Sequence, residues 1–430
     1  MCCTAVQHLL LLLLCGFQPP VRYSTQADQV VVVRDFDGDG APEIITSGNQ
    51  VDELGSFSLL PNRGDGSFAS ERLVASAFGE RVEDAGTDLL VSNYWSNGIG
   101  IYRGKGSLQF DAEIPFATAT HGGPSLFADY DHDGVTDVVS FSFGSGNPVR
   151  VHLFHGLGDG TLAPKTTIDT TLANAGSPSA RTINGALEIL VSEHFGRLAL
   201  IRFLNGTISI TNIAAGPGID TSSTFADING DGVADIVDVN TATDDASRES
   251  IFVTLARADG TFRDRKQLAG PRRVAFPTKV RAADLDGDGR TDLVVSDFRA
   301  TNVFYFRGDG AGDFAEGVAI DVGGPVNDFE IADVNSDGRP DLVTANEDHS
   351  VSVVINRGPC PPARRRVVVA QAPHPPAAPS PRSSRGEGRR SLRSARLLPL
   401  APRCGERVPQ AGEGPCYERR ADTALRSNQP

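Results

Sequence analysis

The sequence predicts an all-β chain, a seven-bladed β-propeller of four-stranded blades followed by a disordered tail. Three observations predict it. An acidic nine-residue segment recurs along the chain, a short apolar run follows each copy, and the residues between are β-rich and broken by Gly-Asp turns. Self-similarity at a steady period marks repeat architectures and outranks local propensity.

The clearest acidic copies begin at Asp35, Asp129, Asp227, Asp284 and Asp333, the last two about 49 residues apart. Two intervals are double length, and each holds a shortened copy, 84–88 before Leu89 and 184–188 before Ile189. Seven units result. In the sixth, Val280 to Ala283 leads into the acidic segment, Leu293 to Ser296 and Asn302 to Phe306 follow, and Phe314 to Ile320 closes the unit. Four short strands joined by Gly/Asp turns read as consecutive hairpins, and repeated four-stranded units build a propeller. The seventh unit stops after its third strand, Val351 to Ile355. Phe17 to Tyr23 has the pattern of the missing fourth, so these two segments are expected to pair and close the ring. Closure would leave no open sheet edge between first and last blade.

Composition divides the chain into residues 1–16, 17–358 and 359–430. Formal charge is −14 overall, which excludes general nucleic-acid affinity. Residues 359–430 carry 14 Arg against 5 acidic residues and are rich in Pro, a composition that buries too little surface to order itself. The apolar run Leu9 to Leu14 resembles the core of a secretory signal, although no Lys or Arg precedes it. No other stretch is long and apolar enough for a membrane-spanning helix. All six Cys lie outside 16–359, so the repeats hold neither a disulfide nor a thiolate metal site.

Clustered carboxylates repel. Two charges about 4 Å apart cost roughly 4 kcal/mol at an effective dielectric near 20. A counter-charge is therefore expected, and alternating oxygen ligands with a Gly at the sharp bend suit Ca2+. In these segments the chain resembles the FG-GAP/VCBS repeat propellers, relatives of the integrin α-subunit head domains. The resemblance covers about residues 17–357. It implies calcium at about five sites, held by side chains at the first, third, fifth and ninth positions and by the carbonyl of the seventh. Carried over, the sets are Asp35, Asp37, Asp39, Ala41 and Glu43; Asp129, Asp131, Asp133, Val135 and Asp137; Asp227, Asn229, Asp231, Val233 and Asp235; Asp284, Asp286, Asp288, Arg290 and Asp292; and Asp333, Asn335, Asp337, Arg339 and Asp341. Glu43 departs from the usual Asp. The copies at 84–88 and 184–188 are too short to be assigned a metal. Weak extracellular-type sites would each add roughly 0.4–1.4 kcal/mol.

Arg63-Gly-Asp65 and Arg307-Gly-Asp309 spell an adhesion tripeptide, but both fall where other units carry ordinary Gly-Asp hairpin chemistry. The eight His are scattered, and no catalytic triad is recognisable. The face opposite the acidic loops gathers Tyr94, Trp95, His194, Phe195, Phe298 and Arg299, among which Trp, Tyr and Arg are preferred anchors of recognition surfaces. The expectation is a secreted or cell-surface, monomeric, calcium-stabilised module that binds an extracellular protein or glycan. A carbohydrate lyase or hydrolase on the same scaffold is the alternative.

Overall fold

The computed structural model describes residues 16–358 apart from 49–55, 77–80, 94–97, 119–120, 145–146, 173–175, 177, 194–196, 216–218, 242–249, 269–273, 275 and 299. The leading segment and the tail expected at 359–430 lie outside the described residues. What is described is all-β, seven antiparallel four-stranded sheets set as the blades of a ring. Blades I to VI are each continuous in sequence and begin with the strands Val30–Arg34, Arg81–Ala85, His121–Ala128, Ser179–Ile183, Ile219–Ala226 and Pro277–Ala283. Blade VII takes Val326–Ala332, Asp341–Asn346 and Ser350–Val354 from the end of the repeats and Val21–Ser24 from their start.

That composite blade is the closure expected from the sequence. Val21 pairs with Val353, Tyr23 with Val351, and Ser24 with Ser350. The pairing continues outside the ladder, where Phe17 bridges Asn356 and the Gln18 amide donates to the Ile355 carbonyl at 2.8 Å. Blades I, II, III, V and VI contain the same kind of bridge, with Phe68, Phe110, Leu162, Phe262 or Phe314 in the place of Phe17. The fourth strand of blade VI is accordingly shorter than Phe314 to Ile320. Phe314 bridges Gly308, the Ala315 amide bonds the Arg307 carbonyl, and the ladder resumes only at Val318–Asp321.

Blade-to-blade packing follows from strand periodicity. Successive side chains on a strand face opposite ways, and here both faces meet a neighbouring blade. Ile44 joins the cluster between blades I and VII, whereas Ile45 joins the one between I and II. Leu89 and Leu90, Val138 and Val139, Ile236 and Val237, and Leu342 and Val343 divide in the same manner. Each second strand therefore needs a continuous apolar run, and Asp292–Asp297 and Asp341–Asn346 are buried along their whole length. Outermost strands such as Val21–Ser24 and Thr166–Asp169 are mostly exposed. First strands of most neighbouring blades contact each other and form the inner wall. There Lys279 of blade VI bonds Asp328 and Glu330 of blade VII, and Asp328 also accepts the Val31 amide of blade I. Burial acts to raise the Glu330 carboxyl, but the Arg281 and Lys279 charges hold it down to about 2.

Candidate metal loops and the face that carries them

In blades I, III, V, VI and VII the connection between first and second strands is the acidic loop. In blades II and IV it is a two-residue turn, Gly86-Thr87 and Asn184-Gly185. The loops fold by a repeated hydrogen-bond scheme. The first carboxylate accepts the amide at the sixth position: Gly40 to Asp35 at 2.9 Å, Gly134 to Asp129 at 3.1 Å, Gly232 to Asp227 and Gly289 to Asp284 at 2.8 Å, and Gly338 to Asp333 at 2.7 Å. The third and fifth side chains each accept the amide two residues on, as Asp131 does from Asp133 and Asp133 from Val135. The sixth-position glycines have φ between 81° and 87°, a left-handed conformation that other residues rarely adopt, so Gly is required there.

This scheme draws the alternate oxygens together. Asp35, Asp37 and Asp39 offer carboxylate oxygens within 4.8 Å of one another, as do Asp129, Asp131 and Asp133, and Asp284, Asp286 and Asp292. In blades V and VII the third position is Asn229 or Asn335, whose side-chain oxygen accepts the amide of Asp231 at 2.9 Å or of Asp337 at 3.0 Å. Donor sets made of oxygens fit a hard divalent cation.

The ninth position has a second role that the spacing did not disclose. Glu43, Asp137, Asp235, Asp292 and Asp341 are all buried. One oxygen of each accepts the amide of the second loop residue, at 3.0 to 3.1 Å from Phe36, Tyr130, Ile228, Leu285 and Val334. In the four Asp cases the other oxygen accepts the amide of the bridge residue, Gly156, Ala256, Gly308 or Asn356, at 2.7 to 2.8 Å. Glu43 is also stabilised by the Asn62 amide, so the longer side chain serves the same purpose. Burial raises all five carboxyls, Glu43 to about 7 and Asp341 to about 6, with nearby loop carboxylates adding to the effect. The residue persists where the loop does not. Asp88 of blade II accepts the Gly104 amide at 3.0 Å, and Glu188 of blade IV pairs with Arg181 at 2.7 Å.

Alike in sequence, the loops differ in what stands over them. The residue preceding the bridge is Pro61 in blade I, His155 in III, Leu255 in V, Arg307 in VI and Ile355 in VII. Arg307 places its guanidinium on Asp286 at 2.5 Å and Asp288 at 2.6 Å. His155 lies 3.0 Å from Asp131 and 3.3 Å from Asp137. Two seventh-position residues, Arg290 and Arg339, turn their side chains toward the fifth carboxylate of their own loops, at 3.9 and 2.5 Å. Part of the counter-charge is thus supplied by the chain itself.

Turns between third and fourth strands share this face. The Asn62 side chain bonds the carbonyls of Pro42 and Val334, joining the loops of blades I and VII. Both Arg-Gly-Asp triplets are absorbed in such turns. Arg63 donates to the Phe68 carbonyl while Asp65 accepts from Ser67, and Asp309 accepts the amides of Ala311 and Asp313. Where blade II lacks a loop, a cavity of about 360 Å³ remains against blade III, lined in part by Asp88, Val135, Thr136 and Gly158.

On the opposite face, Phe298 is half exposed, with Phe276 beside it through a backbone hydrogen bond of 2.8 Å. Tyr94, Trp95, His194, Phe195 and Arg299 lie outside the described residues. Sequence spacing also missed a buried trio in blade III, where His152 lies between Ser142 at 2.7 Å and Thr167 at 3.0 Å. His152 and Ser142 are each 1% exposed, which gives them the setting of a packed core and not of a reactive cleft. A hydroxyl partner 10 residues away on a paired strand leaves no local motif.

Fold and loops together define a class, the ring propeller with acidic first connections. A family model described as FG-GAP-like repeat matches residues 83–140, 238–295 and 284–344. The chain is a seven-bladed β-propeller bearing FG-GAP-like repeats. No curated protein matches its sequence. Among solved structures, BBS1N in complex with ARL6DN, soaked with lead, is similar with a TM-score of 0.54 at 13% identity, over 79% of this chain and 96% of that one. The mercury-soaked crystal of the same complex gives 0.54 at 12% identity with the same coverage. A lectin from Agrocybe aegerita that recognises non-reducing terminal N-acetylglucosamine gives 0.49 at 19% identity, over 69% of this chain and 81% of the lectin. The BBS1N likenesses speak for the fold.

Proposed function

We propose that the protein is a calcium-stabilised propeller acting as an extracytoplasmic binding module for a protein or glycan ligand. The observation that carries the metal part is the convergence of three loop carboxylates within 4.8 Å, repeated in separate blades. Asp35, Asp129, Asp227, Asp284 and Asp333 would hold the ion with the third- and fifth-position side chains, the ninth carboxylates and the carbonyls of Ala41, Val135, Val233, Arg290 and Arg339. Calcium there would neutralise the loops and fix their shape. Free Ca2+ is abundant outside the cell, which suits sites of modest affinity. The binding part rests on form. A closed ring holds its connections on two rigid faces, and an exposed aromatic such as Phe298 is the kind of anchor a ligand would use. BBS1N, which is similar in fold, was solved in complex with ARL6DN.

Thermal unfolding with excess chelator and with millimolar Ca2+ tests the metal part. Five sites at roughly 0.4–1.4 kcal/mol each predict a rise of several degrees on adding Ca2+. An unchanged melting temperature would remove calcium from the reading. Binding to glycan and protein arrays, run beside a polysaccharide-degradation assay, tests the rest. Retention without turnover supports a binding module, and released fragments overturn it in favour of an enzyme.

A further inference from the structure

The five acidic loops present the same oxygens but not the same donor set. In blade III the residue before the bridge is His155, carried in from the end of the third strand and separate from the loop itself. The imidazole is 37% exposed as a whole, but its Nδ1 is turned inward and makes no hydrogen bond of good geometry. That atom stands 3.0 Å from Asp131 Oδ2 and 3.3 Å from Asp137 Oδ1, and the three donors lie within 4.8 Å of one another. The edge of a tetrahedron with metal–ligand bonds of about 2.0–2.1 Å is roughly 3.4 Å, so these separations suit ligands of one small ion. Nε2 lies 3.7 Å from Asp133.

The loop beneath His155 holds an oxygen whose counterparts in the other loops are satisfied. Asp129 Oδ1 is buried and without a hydrogen-bond partner. Its counterparts in blades I, V and VI accept the amide three residues on, from Gly38, Gly230 and Gly287, and in blade VII Asp333 Oδ1 accepts the Asp337 amide. In blade III the fourth position is His132, and no such bond reaches Asp129. A nitrogen whose close neighbours are the Asp131 and Asp137 carboxylates and an oxygen without a hydrogen bond thus meet at one loop. The other loops have Pro61, Leu255 or Ile355 at the place of His155, or Arg307, none of which offers a lone pair to a metal.

Resting on the reading of these loops as cation sites, we propose that the blade III loop is a mixed nitrogen–oxygen site that prefers a borderline divalent transition ion over Ca2+. Asp129, Asp131, Asp137 and the imidazole Nδ1 of His155 are its ligands. Imidazole suits ions such as Zn2+, whereas Ca2+ takes oxygen ligands. The remaining loops are oxygen-only and keep their preference for Ca2+.

The test uses the full chain, stripped of metal and titrated calorimetrically with ZnCl2 and, separately, with CaCl2. Parent, His155→Leu and His155→Arg are compared; the two variants install the residues that blades V and VI carry at that place. The expected result is one Zn2+ site that weakens roughly tenfold or more in both variants while the Ca2+ titration keeps its other sites. A measurement on the parent alone guards against misfolded variants. Zn2+ but not Ca2+ should protect His155 from diethyl pyrocarbonate, read by peptide mass mapping. Equal Zn2+ affinity in parent and variants, or no protection by Zn2+, with Ca2+ binding intact, overturns the mixed site and leaves the calcium reading standing. A His155-dependent Zn2+ site without Ca2+ binding at any loop supports the mixed site and overturns the calcium reading.

Discussion

Blades II and VI place the same residue at the same point, Asp88 and Asp292, and both carboxylates accept the amide of a bridge glycine, Gly104 or Gly308. Only blade VI builds an acidic loop in front of it. The difference separates two tasks that the nine-residue pattern runs together. The ninth carboxylate belongs to the scaffold, where it ties the second strand to the hairpin behind it whether or not a loop exists. The first, third and fifth residues belong to the loop, and a blade can lose them and still close.

Substituting the scaffold carboxylates should give the largest effects. Asp292→Ala strands the amides of Leu285 and Gly308 and the Tyr305 hydroxyl. A loss of about 3–5 kcal/mol is expected in urea unfolding, against about 1–2 kcal/mol for Asp88→Ala. Equal losses, or an Asp292 variant as mild as a surface change, would break the distinction drawn from the two blades.

An intermediate effect lies in the blade cores, apart from both sets of carboxylates. Burial pushes the His152 imidazole down to about 4, with Lys165 and Arg150 adding to the shift. Above pH 6.5 the ring is neutral folded and unfolded, and its contribution is complete. Between about 6.5 and 4 the unfolded chain takes up a proton that the folded blade refuses. Stability should therefore fall toward acid by about 1.4 kcal/mol per pH unit from this group. His152→Gln should flatten that limb relative to the parent in unfolding measured from pH 7 to pH 4. An identical slope in the variant would show that the acid response arises elsewhere.

The smallest effect belongs to the loop. Asp286→Asn in blade VI leaves the scaffold bonds of Asp292 untouched, so with chelator present its melting curve should shift by less than about 0.5 kcal/mol. With Ca2+ present it should lack roughly 0.4–1.4 kcal/mol of the parent's gain. A large loss under chelator would mean that the odd-position residues are scaffold too.

Much of this was legible from the chain alone, for particular reasons. The ring count followed from acidic segments at a steady period, and the closing strand from the likeness of Phe17 to Tyr23 to the fourth strand of other units. Phe17 is legible because it takes the bridge position held by Phe68 or Phe314 elsewhere. The copies at 84–88 and 184–188 read as metal-free because they are too short to hold the alternating ligands. What stayed hidden depends on contacts across strands. The spacing from Asp137 to Gly156 is set by a whole hairpin, so the second role of the ninth residue leaves no local trace. His155 and Arg307 hold the same place over their loops, yet nothing in the nine-residue pattern points to a residue some 20 positions later. Burial is the other hidden quantity, since Ser142 and His152 read as ordinary strand residues until the neighbouring blade covers them.

The composite blade VII bears on how the chain is made. Arg22 and Asp348, joined by an ion pair at 2.5 Å, are 326 residues apart. At synthesis rates of about 5–20 residues per second, the first of these waits roughly 15–65 s for its partner to emerge. Six blades can assemble on the ribosome in that time, while the segment that becomes the last outer strand has no place to go. Completion of the circle is thus a late step that needs both termini of the repeat region, and a nascent chain halted before residue 350 would display the open edge of a half-built sheet to every neighbour.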